Sequence, residues 1–154
     1  MYSKQEVSKQ KQEFWTAFGR YMKPVLSADG EIVSWSNYKT GISGIQFKMD
    51  ADNKKAFIAI VFSQNDPVVQ QTCYQHLLQL KEMLYSELGE DNWNWQADTA
   101  DGYGKTVSQV SKQLTGVSIH RTDDWPAIIS FLKPRIVALD AFWSMAKYSF
   151  EDLV

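Results

Sequence analysis

The sequence has few of the residues on which catalytic and metal-binding sites are usually built. It contains one cysteine, Cys73, and two histidines, His76 and His120, among 154 residues. A single cysteine excludes a disulfide within the chain and is typical of proteins kept in a reducing compartment. We therefore expect a cytoplasmic protein that uses no metal and no cofactor.

Long apolar runs and an excess of one charge are also missing. No uncharged apolar run approaches the length of a membrane span, and the N-terminus is polar, without the apolar core of a signal peptide. The 16 basic and 18 acidic residues give a net charge of −2, and no basic run is longer than Lys54-Lys55. Nucleic-acid binding usually needs a concentrated basic patch. We expect no membrane association, and no nucleic-acid binding without a partner.

The rare reactive side chains are better explained by structure than by chemistry. His76 has a leucine, and no second metal ligand, four positions later on its predicted helix. His120 precedes Asp123 and Asp124, which can orient a general base, although aspartates at a helix start are commonly caps. Cys73 lies on an apolar helical stripe, without the electropositive neighbours that activate a thiol. We identify no catalytic residue and lean against an enzyme.

Acidic residues around the central hairpin are another group of possible metal ligands. A nuclease of the restriction-endonuclease type places carboxylates on two neighbouring strands to hold Mg²⁺. Asp50 ends one predicted strand, but residues 56–62 of the next contain no acid. Asp50, Asp52 and Asp66 are therefore interpreted as turn and cap residues.

The sequence is rich in aromatic residues and contains segments of alternating apolar residues. Aromatics make up 14% of the chain. Ile45, Phe47 and Met49 alternate with polar residues, which predicts a strand with one buried and one wet face. Residues 56–62 are apolar on both faces, as in an inner strand covered on both sides. A polar turn joins the two segments into a hairpin.

Helical periodicity and capping signals surround this hairpin. Ser3 and Glu6 form a capping-box pattern, and the helix that follows should end before Pro24. Asp66 and Pro67 begin a second helix, which Gly89 ends. Residues 93–96 and 105–114 read as two further strands. The last helix begins near Trp125, capped by residue 122, 123 or 124, and Pro134 should kink it.

The order of elements is thus helix, two strands, helix, two strands, helix. It predicts one α+β domain over residues 1–154, with a four-stranded antiparallel sheet and three helices packed mainly on one face. The core residues expected to be buried are Phe47, Ile58, Ile60, Leu77, Leu80, Ile129 and Leu132.

One surface is a candidate binding face. Polar side chains on the wet side of the hairpin, with Ser108 or Gln109 on the fourth strand, would line an open sheet that aromatics border. Such a face can bind a peptide, a nucleobase or a partner subunit, or can simply be solvated. The residues selected are Gln46, Lys48, Trp93, Trp95, Tyr103 and Gln109, with Trp35 and Tyr38 as further borders.

Several segments resemble one bacterial domain family. They are residues 38–60 (Tyr-Lys-Thr-Gly-Ile-Ser-Gly-Ile-Gln-Phe-Lys-Met-Asp-Ala and onward), 13–19, 86–89 and 124–136. The chain is identified as a member of domain-of-unknown-function family 4268 and resembles its short, standalone, Bacteroidetes-type members. Elsewhere the family's domain looks like a C-terminal appendage on larger proteins, some with nuclease-like N-terminal parts. The resemblance implies no catalytic residues.

Composition and resemblance support two functional hypotheses. The first is a soluble binding or protein-interaction module without catalytic activity, acting as a homodimer or with a protein partner. This hypothesis rests on the high aromatic content of the sequence and on its lack of a recognisable catalytic motif. The alternative, which rests on the company the domain keeps in longer relatives, is an accessory role in bacterial nucleic-acid processing or defence.

Overall fold

The computed structural model describes residues 3–154; Met1 and Tyr2, part of the N-terminal argument above, lie outside the described residues. The elements follow in chain order: α1 (Lys4–Met22), β1 (Ile45–Ala51), β2 (Lys55–Phe62), α2 (Pro67–Gln79), α3 (Lys81–Leu88), β3 (Asn94–Ala100), β4 (Thr106–Thr115) and α4 (Trp125–Glu151), with a short 3-10 turn at Thr122–Asp124.

The four strands form one antiparallel sheet in the order β1-β2-β4-β3. The turn between β1 and β2 is closed by Asp52, whose carboxylate accepts hydrogen bonds from the amides of Lys54 and Lys55. This confirms the predicted turn role of Asp52. Because the pairing is antiparallel, side chains on every second residue of a strand share one face, except at an irregularity of β3 between Gln96 and Thr99.

Helices cover one face of the sheet. Ile58, Ile60 and Phe62 on β2 belong to a single buried cluster with residues of all four helices, whereas Ala59, Val61 and Val107 form a separate small cluster on the opposite side. We call that opposite side the outer face. The α+β class and the four-stranded antiparallel sheet are therefore confirmed.

The core contains most of the residues expected there. Phe47, Ile58, Ile60, Leu77 and Leu132 are at most 4% exposed. Leu80 and Ile129 are only partly buried and pack against the edge of the cluster. Residues at the margin of an apolar stripe share its periodicity without sharing its full burial.

The predicted number of three helices is wrong: residues 3–154 contain four α-helices. The second predicted helix divides at Leu80, which leaves helical geometry with φ −95° and ψ 11°. The Leu80 amide contacts the carbonyls of both His76 and Leu77, the tightened pattern common at helix ends. The apolar stripe continues to Leu84 across this break, so periodicity did not reveal it.

Helix ends largely follow the capping signals. Ser3 accepts a hydrogen bond from the Glu6 amide and Asp66 from the Val68 amide, as predicted. The start of α4 differs, because no side chain caps it: the Asp124 carboxylate instead accepts the Ser118 amide and the Arg121 guanidinium. The last helix is continuous through Pro134.

Candidate functional site

The outer face is a ladder of polar side chains with an apolar centre. One row across the sheet joins Gln46, Val61, Gln109 and Gln96, which are paired in register on β1, β2, β4 and β3. The Gln109 amide donates to the Gln96 side-chain oxygen at 3.2 Å. Primary amides both donate and accept, so this row offers hydrogen bonds of both kinds.

The next row places small side chains at the middle of the face. Lys48, Ala59, Ser111 and Asn94 lie in register, and Ala59 and Ser111 are buried beneath their longer neighbours. Small central residues between long flanking ones make the face concave.

Phe57 is the aromatic side chain of this surface. It is paired with Asp50 and Gln113 and is only partly buried. A shallow cavity of about 180 Å³ lies between Phe57 and Lys48, and a larger one of about 430 Å³ lies between Phe57 and Gln96. Sequence reasoning placed Phe57 on the second face of β2 but did not select it, although strand alternation provides that signal.

The structure brings together three of the six selected residues. Gln46, Lys48 and Gln109 share the outer face. Tyr103 lies at the tip of the β3–β4 hairpin and is 96% exposed. There the Asp101 carboxylate accepts the amides of Tyr103 and Lys105, and these bonds, with a smaller contribution from the charge of Lys48, lower the pKa of Asp101.

The two selected tryptophans lie elsewhere. Trp95 is paired with Val110 on the helix-covered face and donates its indole N–H to the Tyr85 hydroxyl at 2.7 Å. Trp93 precedes β3 and is 5% exposed within the main core. Neither borders the outer face, because period-2 alternation turns the apolar side chains of β3 inward and leaves Asn94 and Gln96 outside.

The other proposed borders are also on the helix side. Trp35 is 2% exposed. Tyr38 stacks on Phe47 with ring centroids 5.2 Å apart. Both belong to the irregular segment 23–44, which packs against α4 and not against the outer face.

A buried amide fixes the β3–β4 hairpin and was missed by sequence reasoning. Gln70, on α2, is 3% exposed; its amide donates to the carbonyls of Gln64 and Thr106, and its oxygen accepts from Ser108. Ser108 also accepts the amide of Asp98, which has a positive φ of 51° at an irregularity of β3. A glutamine within an apolar helical stripe is the signal that was available.

A second concavity lies on the helix side, between residues 27–40 and α4. Its volume is about 550 Å³. Asp140, 5% exposed, forms its floor and accepts the Tyr38 hydroxyl at 2.6 Å and the Ala28 amide at 2.7 Å. Burial, and then the hydrogen bond and charge of Asp140, raise the pKa of Tyr38 far above its usual value. An acid among the apolar residues of α4 was the overlooked signal.

The reactive side chains do not form a recognisable catalytic pair. His76 Nε2 contacts the Ser149 hydroxyl at 2.7 Å, but that hydroxyl is also within hydrogen-bond distance of the Ala146 carbonyl, which competes with a histidine base for its proton. His120 contacts Gln10, while the Asp124 carboxylate is held by Arg121. Burial raises the pKa of Cys73, which disfavours its thiolate.

Metal ligands are not clustered in the part of the chain that the structure describes. Within residues 3–154, no group of three or more histidine, cysteine, aspartate or glutamate side chains is close enough to hold an ion. Over the same range, no helix is both long and apolar enough to cross a membrane.

Comparison with known proteins identifies a family. The model of a domain of unknown function, DUF4268, matches residues 10–147. The chain belongs to this family. The match covers the sheet, its hairpins and nearly all of the helix layer, so both concavities are parts of the DUF4268 domain. No curated protein and no solved structure matches the chain.

Proposed function

We propose that this DUF4268 protein is a non-catalytic binding module, and that its outer sheet face binds an extended polypeptide segment of a partner protein. The observation that carries the proposal is the uncovered face itself. Three of the four strands, β1, β4 and β3, present amide side chains around Phe57, and the helices of residues 3–154 pack on the other side.

The chemistry of the face favours a polypeptide. Rows of Gln and Asn side chains match the alternating N–H and C=O groups of an extended chain, since each amide donates and accepts. Phe57 and its two flanking cavities are suited to alternate side chains of such a segment. Lys48 and Lys55 are balanced in part by Asp50, so the face does not select a strongly charged polymer.

The size of the face favours a segment over a large folded surface. Strands of seven residues in a four-stranded sheet span roughly 23 Å by 19 Å, or on the order of 400 Å² in projection. A stable complex of standard size uses about 800 Å² from each partner. Ala59 is fully buried already, and Val61 and Val107 are at most 7% exposed, so little apolar area is left for a second sheet to cover.

The test is selection from a displayed random-peptide library on the wild-type protein, followed by affinity measurements with the selected synthetic peptides. Gln46→Glu with Gln113→Glu places two charges on the outer face, at exposed positions of β1 and β4. We expect peptide affinity to fall about tenfold or more, because amide donors become acceptors beside bound carbonyls.

The matched control carries the same two changes on α1. Gln5→Glu with Gln12→Glu alters exposed residues of the helix layer and changes net charge equally. This control should bind like the wild type. Equal affinity of all three proteins, or a library that yields no peptide dependent on the outer face, would contradict the proposal.

An accessory role in nucleic-acid processing or defence is the alternative. Its support is the partly exposed aromatic Phe57 beside Lys48 and Lys55, since aromatic side chains and cations together bind single strands. A labelled single-stranded oligonucleotide, titrated in fluorescence anisotropy at physiological salt, distinguishes the two. We expect no oligonucleotide binding that depends on Gln46 and Gln113. If the oligonucleotide binds the wild type and the Gln46→Glu, Gln113→Glu variant binds it more weakly, the ligand of the outer face is a nucleic acid and not a polypeptide.

A further inference from the structure

The concavity on the helix side has a basic end built around Lys147. Lys147 is half-buried on α4, and its ammonium lies over Gly41: a Cβ at that glycine would be 2.6 Å from Nζ. Gly41 also has a φ of +80°, so two constraints keep this position small. Lys39 lines the same end. Within residues 3–154, neither lysine has a carboxylate partner.

Two acidic side chains line the same concavity. Asp29 accepts the Ser144 hydroxyl at 2.6 Å, which leaves its second oxygen available, and Glu31 lines the cavity without an ion pair among the described residues. The Asp140 carboxylate below them is already occupied by Tyr38 and Ala28. The acidic groups that face the cavity are thus Asp29 and Glu31.

Helix α4 places Ser144, which binds Asp29, one turn from Lys147. Asp140, Ser144 and Lys147 lie on one face of the helix, at spacings of four and three residues. At 1.5 Å per residue, Lys147 is roughly 4.5 Å beyond Ser144 and about 10 Å beyond Asp140 along the axis. Trp143, 3% exposed, and Tyr148, 70% exposed, also line the cavity.

We propose that this cavity binds a small linear zwitterion, with a carboxylate at Lys39 and Lys147, an ammonium at Asp29 and Glu31, and a short methylene chain between them. A volume of about 550 Å³ is ample for such a molecule. Within residues 3–154, none of these four charged groups has an ion-pair partner, so the two charged ends of one ligand can pair with them. The site is separate from the outer face, and it stands or falls independently of the proposed polypeptide partner.

The test uses three probes that differ only in their charged ends: 5-aminopentanoate, pentanoate and pentylamine. Isothermal titration calorimetry with the full chain should give an affinity for the zwitterion about tenfold or more above that of either single-charge probe. With 5-aminopentanoate at ten times its Kd, the Tm should rise by about 3–5 °C, because the ligand binds only the native state.

Variants assign the binding to this cavity. Lys147→Met and Glu31→Gln keep side-chain volume and remove charge, and each should weaken 5-aminopentanoate about tenfold or more. Lys147→Arg should retain binding, and Lys4→Met, at an exposed position of α1, should behave as wild type. An unchanged ligand-free Tm shows that each variant is folded. The proposal is overturned if the zwitterion binds no better than pentanoate, or if Lys147→Met binds it as well as the wild type.

Discussion

At the scale of single residues, the side chains at the centre of the sheet are closely packed. Ile60 is 1% exposed, and its neighbours across the ladder are Phe47 and Val110, both buried in the main cluster. A close-packed site of this kind cannot collapse easily around a lost side chain, so truncation leaves a cavity.

Ile60→Ala should therefore lower the free energy of unfolding by about 2–5 kcal/mol, the range for large-to-small changes in cores. Urea denaturation with a two-state fit measures it. Ile32→Ala is the control, since Ile32 is 84% exposed and its truncation should cost little. A loss below about 1 kcal/mol for Ile60→Ala would mean that the packing around β2 is misread.

Residue-level patterns predicted the two faces of the hairpin well, because alternation is a direct consequence of strand geometry. The same rule, applied to β3, predicts Trp95 inside and Gln96 outside. Trp95 was instead assigned to the outer face because tryptophan is common in binding sites. The buried hydrogen bonds of Asp140 and Gln70 were not predicted, for another reason. Each is a polar residue within an apolar helical stripe, but its main partners are distant in sequence, so the local pattern does not show what it binds.

At the scale of elements, an ion-pair cluster joins three parts of the chain. Glu90, in the α3–β3 connection, contacts the Arg135 guanidinium of α4 at 2.8 Å and 3.1 Å and the Lys112 ammonium of β4 at 3.3 Å. Burial by itself would raise the pKa of Glu90, but the hydrogen bonds and charges of Arg135 and Lys112 outweigh it and hold that pKa below its usual value.

Stability should therefore fall on acidification. With its folded-state pKa depressed, Glu90 stabilises the fold above its usual pKa of 4.5, and this contribution is lost as the pH falls from that value through the folded pKa. Urea denaturation at neutral and acidic pH measures the loss. Glu90→Gln should be less stable at neutral pH and should show a smaller acid-induced loss, whereas Glu13→Gln, an exposed ion-pair change on α1, should keep the wild-type slope. An unaltered slope in Glu90→Gln would contradict this account.

Element boundaries were predictable wherever a side chain marks them. Ser3 and Asp66 cap helices, and Gly89 ends α3 in left-handed geometry with φ 70°. The division at Leu80 has no such mark, because it lies within a continuous apolar stripe. Residues 23–44 form the walls of the helix-side cavity without regular structure, and their conformation depends on distant contacts such as Tyr38 with Asp140.

At the scale of the whole molecule, the predicted absence of a metal has a simple test. The candidate ligands lie in turns, at helix starts or singly on helix faces, and not at the spacing that Zn²⁺ or Mg²⁺ requires. Thermal melts with EDTA, Zn²⁺ and Mg²⁺ should coincide. A metal-dependent rise in Tm would show a site that stabilises the native state and would revive an enzymatic hypothesis.

Self-association also stays a prediction, and α4 offers few exposed apolar residues for its contact. Trp143 is 3% exposed and Phe150 is fully buried, so neither can form an interface. Met145 and Tyr148 are the exposed large apolar residues of α4, at 54% and 70%. Light scattering at micromolar concentration should report a dimer that Met145→Glu converts to a monomer. A wild-type monomer at every concentration would end this prediction.

The measurement that tests the central claim most directly is an NMR titration of the isotopically labelled protein with a peptide selected from the displayed library. Binding at the outer face predicts that the largest amide shift changes map to alternate residues of the sheet, around Gln46, Lys48, Phe57, Gln109 and Gln113. Changes that instead map to α4 and residues 27–40, or to the helix layer as a whole, would contradict the assignment of the outer face as the binding surface.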